Sequence, residues 1–134
     1  MKINSIAFFS YPVSDVTKAR DFYEGFLGLK LTHNFNNQFI EYDLGDTTFA
    51  IGAGVPIFTP GAKGGVVAFE VDNLDEWVTK VKAAKITIVN DLFESPVCRL
   101  IIIDDPDKNR VMLHQRKVVE KPITEAIAKT KMPE

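Results

Sequence analysis

At 134 residues, 46% hydrophobic and 25% charged, the chain has the size and balance of one globular domain. A single cysteine (Cys98) excludes an internal disulfide and a cysteine-rich metal centre, and two histidines (His33, His114) make any metal site dependent on carboxylates. A net charge of −2 offers no basic footprint for nucleic acid, no apolar run reaches the ~18 residues of a membrane span, and MKINSIAFF lacks the h-region of a signal peptide. The expectation is a cytoplasmic protein with neither nucleic-acid nor membrane partners.

Residues 3–11, rich in β-branched and aromatic side chains, predict a strand that Pro12 stops. Ser14 or Asp15 can cap a helix whose apolar stripe runs through Val16, Ala19, Phe22, Tyr23, Phe26 and Leu27. Gly28 then stands where a helix end wants a positive φ. Strands follow at 29–35, 38–44 and 47–52, closed by Asn36-Asn37 and Gly45-Asp46 turns and expected to pair antiparallel. The Pro- and Gly-rich segment 53–65 reads as a linker, with Phe58 as a lid, an arm onto a partner or an anchored aromatic in a crossover. The pattern then restarts with a strand at 66–71 and a helix capped by Asn73, with Glu76 three residues on and a stripe of Leu74, Trp77, Val78 and Val81. Three more strands follow at 86–93, 97–104 and 109–117.

The order strand–helix–three strands thus occurs twice, with a period of roughly 60 residues. The expected architecture is α+β: a single domain of two tandem βαβββ modules, at 3–52 and 66–117, forming a curved mixed sheet with a concave cavity. Residues 118–134 form an appendage, in which Pro122, Ile123, Ala126 and Ile127 suggest a short amphipathic helix.

Three segments, PVSDVTKARDFYEGFLGLKL (12–31), VVAFEVDNLDEWVTKVKAAKI (66–86) and DDPDKNRVMLH (104–114), give the chain a resemblance to the vicinal oxygen chelate superfamily. That superfamily includes glyoxalase I, extradiol dioxygenases and bleomycin-resistance proteins, and the resemblance covers about residues 3–116. DPDKN departs from the family's DPDG-N turn because Lys108 replaces Gly, and Asn109, which can tolerate the left-handed conformation, is expected to let the turn survive. The resemblance implies a homodimer with a ligand cavity under the concave sheet. Many such proteins place metal ligands at positions that fall here on Phe8, Val66, Met112 and, within a residue or two, Ala50. None is a ligand for a hard divalent cation, which implies no metal and no cofactor.

If Phe8, Val66 and Met112 face the cavity, strand alternation sends Ile6, Ser10, Ala68, Glu70, Arg110 and His114 the same way. Ala7, Phe9, Val67, Phe69, Val71, Val111 and Leu113 then pack under the helices. Ile40, Tyr42 and Leu44 form one apolar set, with Phe39, Glu41 and Asp43 opposite. Phe8, Ala50, Val66 and Met112 would supply apolar contact to a small-molecule ligand, with His114, Glu70 and Arg110 as polar groups. The leading expectation is a metal-independent small-molecule-binding protein of the glyoxalase/bleomycin-resistance type, holding a hydrophobic or aromatic ligand. A second reading is a metal-independent lyase, isomerase or hydrolase using His114 with Glu70 or Cys98 as catalytic groups. A third is a metal-dependent lyase or dioxygenase with displaced ligands drawn from His33, Glu41, Glu70 and His114. The bland alternatives are a solvated turn position for His33, a rim position for Glu70 and a buried inert thiol for Cys98.

Overall fold

The computed structural model describes residues 1–117. The expected helix around Ile123 lies outside the described residues. The chain divides into two compact units, Met1–Gly65 with Asp105–Asn109, and Val66–Asp104 with the segment from Arg110.

In the first unit, strands β1 (Phe8–Pro12), β2 (His33–Phe35), β3 (Phe39–Asp43) and β4 (Thr48–Gly52) form a mixed sheet of order β1-β4-β3-β2. β1 pairs parallel to β4; the other neighbours are antiparallel, as the short turns require. Pro12 ends β1 from within rather than lying beyond it. Leu44, expected to continue the Ile40–Tyr42 set, falls past the end of β3 and is exposed.

Helix α1 (Val16–Arg20) is capped by Asp15, whose carboxylate accepts from Lys18 N–H at 3.1 Å. Ser14 instead donates to Asp107, through its N–H at 3.1 Å and its hydroxyl at 2.5 Å. The single α-helix expected over 16–26 is corrected here. Residues Asp21–Phe26 form a π-helical segment, seen in the Leu27 N–H to Phe22 carbonyl bond at 2.9 Å. Gly28 follows with φ +78°, as the sequence predicts.

This unit's core gathers around Phe49. The rings of Tyr23, Tyr11 and Tyr42 lie 5.0, 6.0 and 6.2 Å from it, and all four side chains are buried. Two of these buried phenols find a carboxylate. Tyr42 donates to Glu24 at 2.8 Å, and burial pushes its pKa up. Arg20 holds the same Glu24 at 2.7 Å and, with the Tyr42 hydroxyl, lowers its pKa. Tyr23 donates to Asp105 at 2.8 Å.

Asp105 anchors the turn that runs to Asn109. Its carboxylate also accepts from Asp107 N–H, Asn109 N–H and the Asn109 side-chain amide, at 2.8–2.9 Å. The left-handed residue here is Lys108, at φ +69°, rather than Asn109. Asn109 is buried, with its amide donating to Pro12 O and its carbonyl accepting from Gly61 N–H. Asn109 therefore serves by its side chain, and an ordinary residue carries the strained backbone.

The second unit repeats the plan. β5 (Val67–Glu70), β6 (Ile88–Glu94), β7 (Cys98–Asp104) and β8 (Arg110–Arg116) form a sheet of order β5-β8-β7-β6, with β5 parallel to β8. Helix α2 (Leu74–Ala83) starts at Asn73, whose side chain accepts from Glu76 N–H at 3.3 Å. Its buried residues Leu74 and Val81 belong to a core with Ile101, Ile103, Val111 and Leu113. Among the described residues no helix is long and apolar enough to cross a membrane.

Candidate functional site

Each sheet has one face turned toward its helix and one turned away. In the second sheet, alternation puts Val111 and Leu113 in the core and leaves Arg110, Met112 and His114 half-buried on the other face. The parallel β5–β8 ladder sets Ala68 opposite Met112 and Glu70 opposite His114. Glu70 and His114, 44 residues apart, meet there: His114 Nδ1 lies 2.7 Å from Glu70 Oε1. The other oxygen of Glu70 accepts from Arg116 N–H at 2.6 Å. The carboxylate is thus held at both oxygens although 52% of its side chain is exposed, whereas 19% of the His114 side chain is.

The β7–β8 ladder pairs Leu100 with His114 and Cys98 with Arg116. Cys98 therefore shares the His114 face, one diagonal step away, a separation of roughly 7–8 Å between side-chain bases. No hydrogen bond joins the two among the described residues. The Cys98 thiol is buried and sits 3.3 Å from Ser95 Oγ. Arg99, on the opposite face, pairs with Asp75 of α2 at 2.8 Å.

The first sheet's helix-free face is aromatic. Phe8 meets Phe39 edge-on at 6.1 Å, Phe39 meets Phe35 at 6.2 Å, and Phe35 stacks on His33 at 5.9 Å. Phe8 and Phe35 are each 51% exposed, which is unusual for rings of this size. His33 is the first residue of β2, not a turn residue, and lies across from Glu41 with Nδ1 3.3 Å from Oε1. Ser10 and Ala50 share this face, and Ala50 is fully buried between Ser10 and Glu41. A cleft of about 60 Å³ is lined by Ser10, Pro12, Phe39, Gly52, Val55 and Phe58, so the linker aromatic borders the row. Phe35 and Phe39 were not among the sequence candidates. Their signal was available in the alternation of 39–43, which already sent Phe39 away from Ile40 and Tyr42.

The two ladders match rung for rung at the metal-ligand positions implied by the resemblance. Phe8 lies opposite Thr48, two residues before Ala50. Val66 falls, by extension of the ladder, opposite Arg110, two residues before Met112. Phe, Ala and Val have no donor atom and Met has only a thioether, so these residues do not fit a hard divalent cation. Among the described residues no group of three or more His, Cys, Asp or Glu side chains is placed to hold a metal ion.

A sequence model of the Glyoxalase/Bleomycin resistance protein/Dioxygenase superfamily matches residues 2–113. No curated protein matches the chain by sequence. Among solved structures, the antibiotic-binding protein TnmS3 from Streptomyces sp. CB03234 is 26% identical with a TM-score of 0.74, over 87% of this chain and 99% of that one. A glyoxalase/bleomycin resistance protein from the same organism is 28% identical with a TM-score of 0.70, over 83% of this chain and 100% of that one. A lactoylglutathione lyase from Agrobacterium tumefaciens, 22% identical with a TM-score of 0.67 over 86% of this chain and 96% of that one, shares the fold. With both ladders and the sequence match in accord, the chain belongs to the Glyoxalase/Bleomycin resistance protein/Dioxygenase superfamily, the vicinal oxygen chelate family its motifs resemble.

Proposed function

We propose that the chain binds a small hydrophobic or aromatic molecule without a metal, as a homodimer in the cytoplasm. The observation that carries this is the row of exposed Phe8 and Phe35 around half-buried Phe39, on a sheet face whose family metal positions lack donor atoms. Covering ~100 Å² of that apolar surface would contribute about 2.5 kcal/mol, and each well-placed ring pair a further ~0.5–1.5 kcal/mol. The likeness to TnmS3, an antibiotic-binding protein, supports the same direction. In the second unit, taken by itself, Val66 and Met112 would offer a ligand apolar contact, and Glu70, Arg110 and His114 polar contact.

A thermal-shift screen with aromatic antibiotics tests the proposal. Binders should raise the melting temperature of the unsupplemented protein, and Phe39→Ala should weaken them. A panel that leaves the melting temperature unchanged, or binding that requires added divalent metal, would overturn it. Light scattering should give twice the chain mass, and a monomer would remove the dimer from the proposal.

The Glu70–His114 hydrogen bond favours a second reading, a metal-independent lyase, isomerase or hydrolase in which the carboxylate orients His114 as a base. Cys98 is less suited to the nucleophile's role, being buried against Ser95. If turnover of any substrate is found, His114→Ala should reduce it at least a hundredfold.

A further inference from the structure

We infer that His114 Nε2 accepts a hydrogen bond from a weakly acidic O–H group on the ligand, so that the second sheet's face selects phenol-type aromatics. This inference rests on the binding function proposed above and concerns the second sheet's face taken by itself. An ionised carboxylate only accepts hydrogen bonds, so the 2.7 Å contact from Glu70 Oε1 requires the proton of the neutral imidazole to be on Nδ1. While the ring carries that one proton, the lone pair is on Nε2. The Arg116 N–H on Glu70 Oε2 fixes the carboxylate, and through it the plane and tautomer of the ring. Among the described residues no other hydrogen bond reaches the His114 side chain.

The surroundings restrict what can use that acceptor. Leu100 lies directly across from His114, and Met112 and Ala68 form the next rung, so the floor beside the ring is apolar. At the imidazole itself the nearest charge is the Glu70 carboxylate, which opposes a ligand carboxylate there, with Arg110 further along the same face. An ether or a bare hydrocarbon gains the floor but leaves Nε2 without a donor. A neutral aromatic alcohol gains both.

The test compares 2-naphthol, 2-methoxynaphthalene and 2-naphthoate by isothermal titration of the full chain. The expected result is 2-naphthol about tenfold tighter than its methyl ether, the value of one ordinary net hydrogen bond, with naphthoate weakest. In His114→Phe the preference for naphthol over the ether should vanish while both still bind. Nitrogen-15 NMR of the wild-type histidines, which needs no variant to fold, should show His114 protonated at Nδ1. Equal affinities for naphthol and ether in the wild type, or an Nε2-protonated His114, would overturn the inference and leave the binding function standing. Binding of none of the three probes would overturn the inference, and would overturn the binding function too only if the antibiotic panel also fails.

Discussion

Replacing Tyr23 with Phe tests whether one carboxylate organises the Asp105–Asn109 turn. Tyr23 is fully buried, and its hydroxyl is one of four donors to a carboxylate that is itself only 4% exposed. The substitution keeps the ring, and with it the 5.0 Å contacts to Phe49 and Phe22, so the lost hydrogen bond is isolated from lost packing. A buried hydrogen bond to a charged group is worth ~1.5–3 kcal/mol. For a chain of this size, at ~4 °C per kcal/mol, the melting temperature should fall by roughly 6–12 °C. Urea unfolding at pH 7 should show the loss in the midpoint with an unchanged slope. The effect should shrink in acid. Burial raises the pKa of Asp105 against the pull of its hydrogen bonds, so its carboxyl is neutral in the native state at a higher pH than in the unfolded chain. Once it is protonated, Tyr23 donates to a neutral group, worth only ~0.5–1.5 kcal/mol. A loss below ~0.5 kcal/mol at pH 7, or one that does not change with pH, would refute the assignment.

Lys108→Gly should stabilise the chain by ~0.5–1 kcal/mol in urea unfolding, because Lys108 is exposed and its φ of +69° costs a residue bearing a Cβ but not glycine. Glu24→Gln should flatten the acid limb of the stability curve. Arg20 and Tyr42 lower the Glu24 pKa from its usual 4.5, so their support is present above that value and is lost as pH falls through the lowered one. A variant as acid-sensitive as the wild type would contradict that sign. Cys98 should react with a thiol reagent at the rate of unfolding, since the native thiol is buried; fast native labelling would show otherwise.

The strand order and the facing of side chains were legible in the sequence because alternation is a local signal. With Phe8 set outward by the family resemblance, the period of two sends Ser10 outward and Phe9 inward, as observed. The caps at Asp15 and Asn73 were legible for the same reason. What the sequence concealed depends on distant partners. The Glu70–His114 contact needs the parallel β5–β8 register, which no turn fixes. His33 looked like a turn residue because Asn34, Asn36 and Asn37 follow it closely, yet the hairpin closes on Asn36-Asn37 and pairs His33 with Glu41. The π-helical segment keeps the apolar stripe of an ordinary helix, so periodicity alone misses it. The positive φ fell on Lys108 because Asn109 is held by three hydrogen-bonding neighbours, Asp105, Pro12 and Gly61.

The rung-for-rung match of the two ladders also shows where the halves have ceased to be interchangeable. Glu70 and His114 correspond to Pro12 and Gly52 in the first sheet. Proline there has no acidic group, and glycine has no side chain. Restoring an imidazole at Gly52 would drive its Cβ to 3.0 Å from the Phe39 ring, the central member of the aromatic row. A chain rebuilt from two copies of its second half would gain a second histidine–carboxylate pair only by giving up that aromatic surface. The two halves thus differ at this rung: one places a proline–glycine pair beside the aromatic row, and the other a carboxylate–histidine pair.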